Sequence, residues 1–577
     1  MRIYKVDFMK TSTVISSQTE IVAENGLVVA GHKLEAEAGL RILQQGGNAV
    51  DALVAAAFAG FVAEPSNCGV GGYARMSIFV AEQNKFVTID GYVRAPGLAR
   101  SDMFELDKSI PAPYYGHPHT IGRKAEHGFL ACAVPGAVAC LCAAHEMFGK
   151  LPRAQILEPA IEYARAGLPM DWQLSLTIAD CMQDIQSLPD TAAFLVPGGR
   201  FPRIQTAFHS GERLDFSALA RTLERISEQG HQGFYSGPVA KSIAHYVAAN
   251  GGILSVPDLV QYRPKILYEM PANYRGFDYI TANDPLGREV LNILENYDLQ
   301  ALGIDSVEYR HLVAEAFGHA FADNMMFYGD PDFTASPVNG LSSRAFGNSR
   351  TNQINRNKAA SRPIGAGDPW QFEMVHTQPH GRAATPSFGG IKGTTQMAAA
   401  DREGNLALTC TSLTGAFGSH IYVPEVGVFL NNAMQNYDPR PGYPNSILPG
   451  KMPIFAAPVL AMARDGRASF GSAGSMGYRI LSGVIHSAIH SIDFGLGAQA
   501  GVDYPRVYCQ GNETFVDGRI PAEVRAQLAE MGHQVVEQTD EPGKIYFGRV
   551  NTIVIDPKTG FMHSGASPAW STAAAGF

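Results

Sequence analysis

Residues 356–392 form an irregular stretch rich in turn formers, and it ends at Gly393-Thr394-Thr395-Gln396, where a strand-like run begins. The stretch includes Ser361-Arg362-Pro363-Ile364-Gly365-Ala366-Gly367-Asp368-Pro369 and Thr385-Pro386-Ser387-Phe388-Gly389-Gly390, with no helical or strand period. The chain before it reads mainly as helix and the chain after it mainly as strand. The fold must therefore be assembled from two unlike portions joined by a breakable linker. A threonine pair at the head of a strand, behind such a linker, reads as an internal processing site at which a buried threonine becomes a new N-terminus.

The helical portion opens with Glu35–Gln45, ended by Gly46-Gly47, and Asn48 caps a second helix over Ala49–Ala63. A Gly-rich turn over Pro65–Gly72 leads to strands at Met76–Val80 and Val87–Gly91, and Arg94-Ala95-Pro96 leaves as a loop. Helices are expected at Gly136–Phe148, Arg153–Ala166, Ala218–Glu228, Val239–Ala249, Val290–Asn296 and Val307–Ala322. After the linker, strands are expected at Thr395–Ala400, Leu406–Ser412, Phe429, Val459–Ala463 and Thr552–Asp556, with a helix at Ile480–Ile489. No internal repeat is present.

With 577 residues and 46% hydrophobic composition, the chain can bury a large core. Its 45 Lys+Arg and 54 Asp+Glu give a mild net charge of -9 with no long basic run, which argues against a nucleic-acid partner. The seven cysteines lie among apolar neighbours without a CxxC pair, as buried reduced thiols do. The first residues, Met1-Arg2-Ile3-Tyr4-Lys5-Val6-Asp7, have no apolar leader segment. The most apolar run, Ala49–Ala63, is too short to span a bilayer and contains Asp51. A cytoplasmic protein with no membrane partner is expected.

Gly69-Val70-Gly71-Gly72-Tyr73-Ala74 fits the loose dinucleotide fingerprint, but a helix precedes it and a strand follows, the reverse of what that motif needs. Close backbone packing is the better reading. Ala473-Gly474-Ser475-Met476-Gly477 has the form of a nucleophile elbow before a helix, with no evident strand-helix alternation ahead of it. Such a turn at a helix N-terminus suits an oxyanion hole, with free N–H groups pointing outward. His486 and His490 share a helix face without a third ligand, and His117-Pro118-His119 is a loop pair; neither is read as a metal site. No metal or cofactor is expected. Arg94, Arg440 and Arg479 sit in or beside turns and could line a pocket.

Taken together, these stretches resemble the γ-glutamyltranspeptidase family of N-terminal nucleophile hydrolases over nearly the whole chain. The likeness is carried by Gly46-Gly47-Asn48-Ala49-Val50-Asp51-Ala52, Glu64-Pro65, Gly69-Val70-Gly71-Gly72, Ala133-Val134-Pro135-Gly136 and Gly251-Gly252-Ile253-Leu254. It continues through Tyr328-Gly329-Asp330-Pro331, Gly393-Thr394-Thr395, Asp401–Asn405, Phe417-Gly418, Leu430-Asn431-Asn432 and Ser491–Leu496. The resemblance implies an α+β fold, a four-layer αββα sandwich with a helix-rich lobe from the N-terminal part. It also implies self-cleavage between Gly393 and Thr394, giving a large subunit 1–393 and a small subunit 394–577 that remain one intertwined fold, a processed pair open to higher oligomers.

A threonine hydroxyl is a weak nucleophile until a base takes its proton. Once Thr394 is N-terminal, its own α-amino group, with an ordinary pKa of about 7.7–8.0, supplies that base. By the resemblance, Ser412 falls where the family carries a supporting Thr and Thr414 where it carries Asn; Gly474 and Ser475 fall near the glycine pair that donates to the oxyanion.

The departures concern substrate. The family's carboxylate-binding Arg position reads Tyr92, with Arg94 two residues on, and its Ser-Ser pair reads Ile454-Phe455, or Phe455-Ala456 with a one-residue gap. The positions that hold the α-amino group read Ala433 and Asn436. A buried ammonium without an acidic partner is costly. The expectation is an amidohydrolase acting on a small amide without a free α-amino group, as in the oxamate amidohydrolase-like or cephalosporin-acylase-like branches, with Arg94 or Arg479 as candidate carboxylate partners. The alternatives are a γ-glutamyltransferase or glutathione hydrolase with a rearranged clamp, and a processing-dead binding homologue.

Overall fold

The computed structural model describes residues 18–110, 117–373, 392–454, 459–541, 544–568 and 570–577. Two seven-stranded sheets form its centre. Their strands are β1 (Val22–Ala23), β2 (Gly26–Ala30), β3 (Tyr73–Val80), β4 (Lys85–Gly91), β5 (Lys265–Tyr268), β6 (Ala272–Tyr274) and β7 (Phe277–Ile280), then β8 (Lys392–Asp401), β9 (Leu406–Gly415), β10 (Leu460–Arg464), β11 (Arg467–Ser475), β12 (Arg549–Ile555), β13 (Met562–Ala566) and β14 (Ala573–Gly576). One sheet has the order β1-β13-β12-β11-β10-β7-β6 and the other β14-β2-β8-β9-β3-β4-β5. Each sheet draws strands from both sides of the linker. The division into a helical and a strand portion is thus a bias of composition, and it does not separate two bodies.

Helices α1 (Lys33–Gln44), α2 (Ala49–Ala63) and α3 (Ala137–Phe148) cover the outer face of the second sheet. The first sheet is covered by α5 (Arg479–Ile492), beyond which lies the long α4 (Val307–Phe327). The result is the four-layer αββα sandwich. Along β8, Met397 and Ala399 join the core under α1 and α2, whereas Ala398 and Ala400 join the core between the sheets. Both faces are buried, so these strands read as continuous apolar runs rather than alternating ones.

Local chemistry explains the helix starts. Asn48 accepts from the Asp51 N–H while Asp51 accepts from the Asn48 N–H, a reciprocal cap that fixes the first turn of α2. Every residue of α2 is buried, which explains its apolar character all round. Asp401 Oδ2 accepts from Ala49 N at 2.8 Å, so the Asp401–Asn405 turn ties the β8–β9 hairpin to that helix. The helix expected at Val290–Asn296 begins earlier, at Pro285, because Asp284 caps it and proline is suited to the first turn.

Several strands escape sequence reading, among them β1, β2, β5, β6, β7, β11, β13 and β14. β11 (RASFGSAGS) and β14 (AAAG) are built from small residues with no alternation. Consequently the strand that leads into the Gly474–Gly477 turn is not visible in the sequence. The Gly69–Gly72 turn packs against the Val428–Leu430 segment, with Gly71 bridging Leu430, as the close-packing reading requires. His486 and His490 are core residues: their Nδ1 atoms hydrogen-bond Ser482 O at 2.7 Å and Gly501 O at 2.8 Å. All seven cysteines are free. Among the described residues no helix is long and apolar enough to cross a membrane.

Candidate active site

The β8–β9 ladder breaks register at one place. Gly393 pairs with Thr414 and Thr394 with Ser412, so Leu413 is an extra residue opposite the Gly393–Thr394 bond. Such bulges bend a strand and re-aim its side chains. Only glycine fits at 393, since a Cβ there would lie 2.4 Å from Gly415 O and 2.5 Å from Ser66 O. Thr394 shares strand parity with Ala398 and Ala400 and therefore faces the space between the sheets.

Ser412 Oγ meets three groups: Thr394 Oγ1 at 2.9 Å, the Gly393 carbonyl oxygen at 2.5 Å and the Thr414 N–H at 2.9 Å. A carbonyl can only accept, so the Ser412 hydroxyl donates to Gly393 O. It must then accept from both the Thr394 hydroxyl and the Thr414 N–H. The proton path runs from Thr394 through Ser412 to the carbonyl oxygen of the bond that Thr394 would attack.

Thr414 has φ of 78°, rare for a β-branched residue. Its hydroxyl donates to Tyr73 OH at 3.0 Å, and its neighbour Gly415 donates to Asn432 Oδ1 at 2.7 Å. The bulge imposes this conformation, and asparagine tolerates it better than threonine does. Thr414→Asn is therefore expected to stabilise the chain by about 1 kcal/mol, the lower end of the strain at such positions. Denaturant midpoints compared in a Thr394→Ala background, where one covalent chain unfolds, check this; a lower midpoint for the Asn variant would show that the Tyr73 contact outweighs the strain.

Gly474 and Ser475 are the last ladder residues of β11, opposite Val550 and Arg549. Ser475 is fully buried, and its Oγ accepts from Arg549 Nε at 2.7 Å. The left-handed turn comes next, at Met476 (φ 95°) and Gly477 (φ 64°), immediately before α5.

At the remaining positions, Tyr92 OH accepts from Asn436 Nδ2 at 2.9 Å and lies 3.5 Å from Ile454 O, and Ala433 is fully buried. Phe455 lies outside the described residues. Arg94 faces the buried Asp330 at 3.7 Å, Arg479 stacks on Tyr546 at 3.8 Å, and Arg440 grips Asp438 with two nitrogens. Each of these arginines thus has an internal partner. Asp438 is held down to about 2: burial pushes it up, but His117, 3.6 Å away, and the hydrogen bonds from Arg440 outweigh that.

Beyond Thr414 opens a polar cavity of about 380 Å³, lined among others by His117, Arg123, Glu126, Asp184, His420 and Asn432. His127, Asp184 and His420 cluster there, but Arg123 already holds both Asp184 oxygens at 3.1 Å. A second cluster, His311, Glu315 and His533, has its carboxylate bonded by Arg362 at 2.6 Å. Sequence reasoning missed Arg549, Glu35 and Tyr73, whereas the Met476–Gly477 turn lies within the 473–477 stretch it singled out. Glu64 entered only as part of a Glu-Pro pair.

A four-layer sandwich with a hydroxyl residue at the head of a central strand is the architecture of the N-terminal nucleophile hydrolases. The chain belongs to the γ-glutamyltranspeptidase family of such enzymes, whose family model, "Gamma-glutamyltranspeptidase", matches residues 36–577. It is 34% identical to the Acylase ACY 1 proenzyme of Pseudomonas sp. (strain V22), over 92% of this chain and 90% of that protein. It is 29% identical to the glutathione hydrolase proenzyme of Bacillus subtilis (strain 168), over 96% of this chain and 92% of that protein. The crystal structure of cephalosporin acylase from Bacillus halodurans superposes with a TM-score of 0.83 at 26% identity, covering 99% of each chain.

Proposed function

We propose that the chain is an autoprocessed amidohydrolase that cleaves an amide through an acyl-enzyme on Thr394, and that its acyl group lacks a free α-amino group. The carrying observation is the Thr394–Ser412–Gly393 hydrogen-bond path across the bulged strand pair. In maturation, Thr394 Oγ attacks the Gly393 carbonyl carbon and its proton passes through Ser412. The tetrahedral centre collapses as the Gly393–Thr394 C–N bond breaks and that proton passes on to the Thr394 nitrogen, which leaves as a neutral amine. Water then opens the Gly393 ester, giving subunits 1–393 and 394–577. In turnover, the freed α-amino group takes the hydroxyl proton, the hydroxyl attacks the substrate carbonyl, and the amine returns the proton to the leaving nitrogen. Met476 and Gly477, whose N–H groups meet no backbone acceptor among the described residues, are the proposed oxyanion donors.

The substrate side rests on charge. Tyr92, Ala433, Asn436 and Ile454 offer no carboxylate to an ammonium group, whereas Arg94 and Arg479 remain the candidate partners for a carboxylate. The proposed substrates are amides whose acyl part is neutral or bears only a carboxylate: oxamate-type small amides and, by likeness to the acylases, the side-chain amides of cephalosporins. Purified processed enzyme is expected to hydrolyse such amides and to act on glutathione or γ-glutamyl anilides at least about 100-fold more slowly, because a buried unpaired charge is strongly discriminated. Mass-spectrometric detection of released amine across both panels checks this. Efficient glutathione turnover with acyl transfer to dipeptides would instead make the chain a γ-glutamyltransferase.

A further inference from the structure

The head of the nucleophile strand lacks a strand on one side. β8 pairs with β2 only from Ala398 to Asp401, so residues 394–397 have β9 as their single strand neighbour. β2 ends at Ala30, and at Gly31 a Cβ would stand 2.1 Å from Thr395 Oγ1 and 2.5 Å from Glu64 Oε2. That space is given to side chains, and the outward carbonyls of β8 need other donors.

They find them on the opposite sheet. Arg549 Nη2 donates to Thr394 O, and Asn551 Nδ2 donates to Gln396 O at 2.8 Å. Arg549 and Asn551 are two apart on β12, so they stand on one face and match the two-residue spacing of the carbonyls they serve. Arg549 is buried, and its Nε also donates to Ser475 Oγ at 2.7 Å, the residue just before the Met476–Gly477 turn. One rigid guanidinium therefore spans the nucleophile residue and the strand that presents the proposed oxyanion donors.

We propose that Arg549 is a positioning residue that completes the ladder at Thr394, fixes it against the oxyanion turn, and by its charge keeps the freed Thr394 α-amino group in the basic form near neutral pH. This rests on Thr394 being the processed nucleophile. The groups around the head of β8 come from several elements. Glu64 faces Arg549 Nη1 at 3.7 Å and accepts from Asn67, Gln173 and Trp570, whose ring lies 4.8 Å from the guanidinium. Glu35 accepts from Thr395 Oγ1 at 3.4 Å, His32 lies beyond Glu64 facing Asp171 at 3.7 Å, and Cys68 and Tyr73 complete the surroundings.

Burial, reinforced by Glu64, pushes Glu35 well above the carboxylate range, so it keeps its proton. Burial also pushes Glu64 up, but Arg549, Thr395, His32 and Asn67 outweigh it and leave Glu64 ionised. Burial raises Cys68 and Tyr73, which stay neutral. The net field at the amine is set by Arg549, bonded to Thr394 itself, against Glu64, which bonds no atom of Thr394. A nearby cation disfavours the ammonium form.

The test needs no substrate. In matured wild-type protein, the Thr394 α-amino group is titrated by its rate of acetylation with limiting acetic anhydride, read by mass spectrometry of the N-terminal peptide. The expected midpoint is about one unit below the ordinary range of about 7.7–8.0. Arg549→Gln should raise it by about one unit. Arg549→Lys should keep the midpoint but slow maturation about 10-fold, since an ammonium cannot bridge Thr394 O and Ser475 Oγ as a fork does. A wild-type midpoint at or above 8, or a Gln variant titrating like wild type, overturns the charge role. A Lys variant maturing at the wild-type rate overturns the clamp. Should the Gln variant not fold, the wild-type titration and the Lys variant still decide. A chain that never exposes Thr394 overturns the nucleophile assignment as well, whereas an exposed Thr394 with an ordinary amine overturns the role of Arg549 alone.

Discussion

Thr394→Ala is expected to leave one chain of 577 residues, where the wild type is expected to divide after Gly393. Both maturation and turnover use the same hydroxyl, so both vanish together, with turnover falling by on the order of 10⁴-fold or more, as removal of a nucleophile does. The bulge opposite the scissile bond and the Ser412 bridge place that hydroxyl beside the Gly393 carbonyl. A denaturing gel and N-terminal sequencing check the result. The smaller wild-type chain should begin Thr-Thr-Gln-Met, and any other start would remove Thr394 from its role.

Ser412→Ala should slow maturation and turnover each by on the order of 100-fold, in the range of lost acid–base and positioning effects. The side chain links the nucleophile, the scissile carbonyl and the strained backbone at Thr414. Without it the Thr394 proton has no relay, and the Thr414 N–H is left buried and unpaired, which adds a stability cost of about 1–3 kcal/mol. Ser412→Thr retains the hydroxyl and should recover most of the maturation rate. Equal rates for the Ala variant and wild type in a timed maturation assay would exclude the relay.

Much of this protein could be read along the chain because the controlling contacts are local. The Asn48–Asp51 cap, the Asp401–Asn405 turn and the Gly393-Thr394 junction each act over a few residues, and the residue types needed there are restrictive. Sequence also located Ser412 and Thr414, since a hairpin with a short turn must return its second strand beside the first. It failed where strands are built from small residues buried on both faces, as in β11, because neither period is visible there.

By itself, then, the sequence determined the family, the sandwich, the Gly393-Thr394 junction and the uncharged residues Tyr92, Ala433 and Asn436. Only the tertiary structure decided which polar groups from distant parts of the chain reach Thr394. Arg549 reaches Thr394 across 155 residues of chain, and Glu64, from the other end of the sequence, reaches Arg549. It also showed that Arg94 and Arg479 already have partners and that the left-handed turn starts at Met476, one residue past Ser475. The physical reason is common to all of these. A charge or hydrogen-bond donor is recruited by proximity in three dimensions, which leaves no spacing, period or neighbouring residue in the chain to mark it.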